Sequence, residues 1–198
     1  QEQAAKLLEK AEEVGQRAIF ALALSTGMRQ GELFALHWSN IDLKNGILSV
    51  VHTLEEVEGR LRLKQPKSKA GRRQIKLPEL AVTALFAQKQ KLLSQGLAGA
   101  EMVFPDNEGG YLRKSNFERR VWKPLRKKAG IPESVVFHDL RHTSASLLLK
   151  SGTHIKVVQE RLGHSTSKLT LDTYSHLMPG MQDEAASKLD TLLRVQFK

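Results

Sequence analysis

Five side chains of types that grip anions, move protons or act as nucleophiles fall in three short tracts of this sequence. The first tract is Thr26-Gly27-Met28-Arg29-Gln30-Gly31-Glu32-Leu33, where Arg29 stands between glycines at a helix-to-helix turn and Glu32 is a ready ion-pair partner. The second is His138-Asp139-Leu140-Arg141-His142-Thr143. Three residues apart, His138 and Arg141 share one face of a helix start, as two donors aimed at one ligand require. His142 follows His138 by four and invites a zinc reading. Asp139, however, stands where a His-Glu-x-x-His site needs glutamate, and no third ligand lies nearby, so no metal site is expected. The third tract is Leu162-Gly163-His164-Ser165, followed by Thr170-Leu171-Asp172-Thr173-Tyr174-Ser175-His176. Taken alone, Tyr174 reads as a half-buried amphipathic anchor rather than a nucleophile.

The elements that must position these groups are mostly helical. Apolar residues recur at helical spacing over about 3–14 and 16–25, and Thr26-Gly27 breaks the second run. A short helix is expected over 32–38. The runs 47–54, 60–63 and 73–77 alternate or are β-branched, with turn signals at Glu58-Gly59 and Ala70-Gly71, which predicts a small three-stranded antiparallel sheet. Helical period returns from Pro78 to about Leu93. Further helices are expected over 115–128, closed by Gly130, and over 138–150, 155–162 and 168–174. Met181, Ala185, Leu189, Leu192 and Leu193 form an apolar stripe on a last helix that can fold back on its own domain. The fold class is therefore α+β, mainly helical, over a single unit without repeats or a dividing linker.

Composition narrows the function. The chain has 198 residues, 40% hydrophobic and 26% charged, which are globular proportions. No apolar run approaches the roughly 20 residues that span a bilayer. The absence of cysteine excludes disulfides, a thiolate nucleophile and thiolate metal sites. The formal charge is +10 and unevenly placed. Residues 60–76 hold eight basic residues and no acid, and residues 113–128 hold eight with one acid, Glu118, so outside these blocks the chain is net acidic. Two solvated faces would account for this, but such concentration is the footprint of a polyanion partner, most often nucleic acid.

Taken together and in order, an arginine after Thr-Gly, a hairpin lysine, His-x-x-Arg, Leu-Gly-His and then a tyrosine resemble the tyrosine recombinases, the phage integrase family of site-specific recombinases. The tract around Tyr174 is similar to integrases of phages and conjugative elements of Gram-positive bacteria. The resemblance runs over nearly the whole chain and implies a single C-terminal catalytic domain over 1–198, with the N-terminal arm- and core-binding domains of complete integrases lying outside it.

It also implies roles. Arg29 and Arg141 match the pair that grips the scissile phosphate, and a bidentate, permanently charged guanidinium suits a pentacoordinate phosphorane. Tyr174 matches the nucleophile of a 3′-phosphotyrosyl link, His138 the general base or positioning residue, and His164 a phosphate hydrogen-bond donor. Lys67 matches the general acid for the leaving 5′-oxygen, with Lys69 the alternative. Glu32 and Asp139 are expected to orient their neighbours, Asp139 also as a helix cap.

The implied partners are double-stranded DNA, other protomers in a synaptic tetramer and accessory DNA-bending proteins in the cytoplasm of a bacterial host, with no membrane. Neither metal nor ATP is required. The residues expected on the duplex are Arg60, Arg62, Lys64, Lys69, Arg72, Arg73, Lys114, Arg119, Arg120, Lys123 and Lys127. A type IB topoisomerase and a non-catalytic DNA-binding factor are the competing functions.

Overall fold

The structure is a computed structural model and describes residues 1–66, 68–166, 171 and 181–195. In chain order the helices are α1 (Glu2–Glu13), α2 (Arg17–Thr26), α3 (Gln30–Phe34), α4 (Glu79–Ser94), α5 (Lys114–Phe117), α6 (Lys123–Lys128), α7 (Asp139–Lys150), α8 (Ile155–Leu162) and α9 (Met181–Val195). The strands are β1 (Ile41–Asp42), β2 (Ile47–Val50), β3 (Thr53–Val57), β4 (Arg60–Lys64) and β5 (Arg73–Lys76).

Helix α2 has almost no polar face. Residues 18–24 and Thr26 are all buried, so other elements must surround it, and α1, α3, α4 and α7 do so. Phe20 carries an aromatic cluster on one side of it. Its ring lies 6.0 Å from Trp122 and 5.7 Å from Phe137, and Phe137 meets Phe117 edge-on at 5.0 Å. Each such side chain contributes on the order of 2–3 kcal/mol by leaving water. This cluster holds the second basic block in place. That block is one rod in which α5 passes through a π turn (Glu118–Trp122) into α6, with Phe117, Trp122 and Leu125 facing the core, Arg126 largely covered and donating to the Glu133 and Val135 carbonyls, and Lys114, Arg119, Arg120, Lys123, Lys127 and Lys128 facing out.

The small antiparallel sheet forms, with membership different from that expected. The run 47–54 divides into two strands. Leu48, Val50 and Leu54 are buried and His52 is in phase with them. The chain breaks at Val51-His52, which leaves the imidazole half-buried with its Nδ1 enclosed. β2 pairs with β1 and β5 in the order β1-β2-β5, with Leu48 opposite Ile75, while β3 and β4 form a separate hairpin. Its tip, Glu58 (φ 51) and Gly59 (φ 73), turns where Glu58-Gly59 was expected to. The first basic block thus runs up β4, through the 65–72 connection and down β5.

The expected helix over 32–38 starts earlier and ends earlier, as α3, followed by a 3-10 turn (Trp38–Asn40). Helices α7 and α8 close a second, smaller core of Ala145, Leu149, Val158 and Leu162, distinct from the main one. The expected helix over 168–174 lies outside the described residues except for Leu171. In α9 the leucines of the apolar stripe, Leu189, Leu192 and Leu193, are exposed. Among the described residues no helix is long and apolar enough to cross a membrane.

Candidate active site

Three helix junctions meet at one place, and each carries one of the tracts singled out in the sequence. The first is the turn from α2 to α3. Gly27 ends α2 in the left-handed region at φ 64, and a Cβ there would lie 2.6 Å from Leu162 Cδ2, so glycine is needed for both conformation and space. Arg29 follows as the extended residue that opens α3. Its backbone N–H donates to Glu32 Oε2 at 2.9 Å and its Nη1 to Glu32 Oε1 at 3.1 Å, leaving the side chain 45% exposed.

The Glu32 carboxylate is itself buried, at 3% exposure. It also receives Arg73 Nη2 at 2.8 Å and Nη1 at 3.2 Å. Burial alone would raise the Glu32 pKa, but the Arg73 hydrogen bonds and charge, with the Arg29 N–H, outweigh it and hold the carboxyl below its ordinary value. Arg73 therefore leaves the DNA-facing set. Its side chain is 6% exposed and is fully engaged with Glu32, the Arg161 carbonyl (2.6 Å) and the Gly71 carbonyl (3.1 Å). The alternation of β5 contained the signal, because Arg73 is in phase with buried Ile75 and Leu77.

The second junction is the start of α7. His138 is exposed at the N-cap, its ring edge-on to His142 with centroids 5.4 Å apart. One turn on, Arg141 is 4% exposed. Its Nη1 donates to the Gly27 carbonyl at 2.6 Å and its Nη2 to the Leu162 carbonyl at 2.7 Å. These carbonyls belong to the C-terminal ends of α2 and α8, where acceptors lack helical partners and the dipole favours a cation. Arg161, which drew no attention in the sequence, does the same work nearby, donating to the Ser25 and Lys76 carbonyls. The Asp139 carboxylate accepts from the Val136 N–H at 2.8 Å. It caps the turn before α7 and does not bond the His138 ring.

The third junction is the end of α8. Gly163 (φ 68) turns the chain and leaves no room for a side chain, since a Cβ would lie 2.8 Å from Arg73 Nη1 and 2.9 Å from the Ala70 carbonyl oxygen. His164 follows, its backbone held at both ends by Gln159. Burial, then the charges of Arg141, Arg29 and Arg73, lower its pKa to about 4. His138 is shifted down for the same kinds of reason, by desolvation and then by His142, Arg141 and Arg29, against a small opposing pull from Asp139. Both rings are therefore neutral at pH 7.

The structure thus brings Arg29, His138, Arg141 and His164 together. Lys67 and Tyr174 lie outside the described residues. Lys69 is placed by its backbone alone, in the 3-10 turn Lys69–Gly71 that leads into β5. Among the described residues, no group of three or more His, Asp or Glu side chains is arranged to hold a metal ion. Arg60, Arg62, Lys64, Arg72, Lys114, Arg119, Arg120, Lys123 and Lys127 are exposed, although Lys64 is paired with Glu55 at 2.5 Å.

Residues 1–180 match the model of the phage integrase family. The chain is 30% identical over 193 residues to a tyrosine recombinase XerC-like protein of Caldanaerobacter subterraneus subsp. tengcongensis, a match that covers 89% of this chain and 49% of that protein. It is 30% identical over 185 residues to the ICEBs1 integrase of Bacillus subtilis, again over 89% and 49% of the two chains. Among solved structures, the crystal structure of XerA recombinase superposes with a TM-score of 0.71 at 30% identity, covering 94% of this chain and 62% of that one. The chain spans about half the length of the curated relatives it matches. With the ordered motifs, the fold and the match over residues 1–180 in agreement, the chain belongs to the phage integrase family.

Proposed function

We propose that this chain is the catalytic domain of a site-specific DNA recombinase that cleaves and rejoins strands through a 3′-phosphotyrosyl intermediate. The observation that carries the reading is the convergence of Arg29, His138, Arg141 and His164 from three helix junctions, with both arginine charges acting on both histidines. Family membership and relatives named recombinase and integrase support it.

In this reading Arg29 and Arg141 hold the scissile phosphate and oppose the charge that grows on its oxygens. The Tyr174 oxygen attacks phosphorus and its proton passes to His138, which is neutral and so able to accept it. The bond from phosphorus to the 5′-oxygen breaks, and Lys67, with Lys69 as the alternative, protonates that oxygen. Neutral His164 donates a hydrogen bond to a non-bridging oxygen. Attack by a 5′-hydroxyl on the tyrosyl ester reverses the steps and rejoins DNA, so neither ATP nor a metal enters the scheme.

Double-stranded DNA lies along the exposed basic residues of the two blocks. The exposed leucines of α9 dock on a neighbouring protomer in a synaptic tetramer, and accessory DNA-bending proteins complete the assembly in the bacterial cytoplasm.

The test is a nicked suicide duplex bearing the core site, incubated with the protein in EDTA. An SDS-resistant adduct forms with wild type and not with Tyr174→Phe. Binding without an adduct would reduce the chain to a DNA-binding factor, and relaxation of supercoiled DNA lacking the site would point to a topoisomerase.

A further inference from the structure

Arg73 is the most fully engaged side chain near the site, yet it has no part in the chemistry just described. Its four hydrogen bonds reach three different pieces of the chain. Nη1 and Nη2 hold Glu32, and through it Arg29; Nη1 also holds the Gly71 carbonyl; Nε holds the Arg161 carbonyl, three residues before His164. The Gly71 end matters because Lys69–Gly71 is a closed turn, folded on itself by the Gly71 N–H donating to the Ser68 carbonyl at 3.0 Å and to its hydroxyl at 3.2 Å. Ala70 of the same turn sits against Gly163. The turn therefore has little freedom to move apart from Arg73.

We infer that Arg73 is a positioning residue that keeps the Ser68–Gly71 turn in register with Arg29 and His164, and that it acts through this turn on the protonation of the leaving 5′-oxygen. This rests on the cleavage-and-rejoining reading above. Arginine is required because only a planar fork can bind a carboxylate with both Nη atoms while Nε reaches elsewhere; a lysine ammonium offers one point of charge.

The experiment compares single-turnover cleavage of an ordinary suicide substrate with one whose leaving oxygen is replaced by sulfur. A thiolate leaves without a proton near neutral pH, so a defect in the general acid is rescued by sulfur and a defect elsewhere is not. Lys67→Ala and Lys69→Ala set the size of the rescue. Arg73→Lys is expected to cleave the oxygen substrate about 100-fold more slowly, the scale of one general acid, and to recover at least tenfold of that with sulfur. Glu32→Gln, which loosens Arg29 and Arg73 together, is expected to be slower than Arg73→Lys on the oxygen substrate and to recover a smaller share of its loss with sulfur.

Ser68→Ala removes the hydroxyl that accepts from the Gly71 N–H and so loosens the same turn without touching Arg73, Glu32 or His164; it gives a smaller rescue of the same sign and serves if Arg73→Lys fails to fold. Equal losses on both substrates in a folded Arg73→Lys or Ser68→Ala protein, or wild-type rates in both, would overturn the inference. Failure of wild type to form any adduct would instead strike the functional reading.

Discussion

Arg141 Nη1 lies 2.6 Å from the carbonyl oxygen of Gly27, a residue 114 positions earlier in the chain. With the Leu162 carbonyl on its other Nη, this one side chain joins the ends of α2 and α8 to α7. On the proposed function, structural and chemical demands on Arg141 are therefore superimposed. Arg141→Lys keeps the charge but cannot span both carbonyls, so cleavage of the suicide substrate should fall by about 10³-fold. Chemical denaturation should show a loss of about 1–3 kcal/mol from the carbonyl left unbonded.

Glu32 offers a different signature, because its burial between Arg29 and Arg73 makes it an acid-sensitive tie. A carboxyl held below its ordinary value contributes stability above the unfolded-state pKa of about 4.3, and that contribution is lost as pH falls through the folded value. Urea melts at successive pH values should show stability dropping below about pH 4.3 in wild type. Glu32→Gln should lack that part of the slope and be destabilised by about 3–5 kcal/mol at pH 7, since it leaves buried guanidinium charge without its counter-ion.

The two histidines shift stability in a higher pH window. His164 has a folded pKa of about 4, below the value of about 6.5 it takes when unfolded. The unfolded chain thus binds the extra proton between those values, and stability falls as pH is lowered through that range. His164→Asn should flatten the fall, and NMR titration of the ring protons should show His164 titrating far below a free imidazole. With His138 also shifted down, cleavage should stay level from pH 8 to below the ordinary histidine range before it declines.

DNA affinity should separate the exposed basic residues from the buried one. Each of Lys123→Ala and Lys127→Ala should reduce the slope of log K against log salt by about 0.9, the value for one phosphate contact. Glu55→Ala releases Lys64 and should raise affinity. Arg73→Lys should leave the salt slope unchanged. Fluorescence anisotropy over a salt series reads all four.

Gly27→Ala tests how closely α2 and α8 meet. A positive φ and a Cβ 2.6 Å from Leu162 both oppose it, so thermal melting should show a loss above the roughly 1 kcal/mol typical of strain alone.

Much of this was legible in the sequence, because helix boundaries and motif positions depend on local signals. Residues 155–162 form the expected helix, and Glu58-Gly59 makes the expected turn. Charge type was legible too, and charge direction was not. Arg73 stands in a run of exposed cations and was grouped with them, yet strand alternation sends it inward to a carboxylate 41 residues away. Arg161 carries no sequence signal because its partners are backbone carbonyls. The division of 47–54 depended on seeing that His52 shares a phase with three core residues. For Arg73 and His52 the strand phase carries the signal once the strand bounds are known, whereas the partners of Arg161 are set by tertiary packing alone.

The separate small core of Ala145, Leu149, Val158 and Leu162 has a consequence for how the protein responds to warming. Four buried side chains, with Leu148 and Ile155 against them, are the apolar contact of α8 with the second half of α7, and its other ties are arginine bonds to backbone carbonyls, while the main core continues beneath α2. A cluster this small opens at a lower free energy than the whole domain. Its opening withdraws the Leu162 carbonyl from Arg141 and carries His164 away with it. On the proposed function, the protein would then pass through a temperature range in which it is folded by any global probe and yet silent in cleavage, recovering on cooling without having to refold.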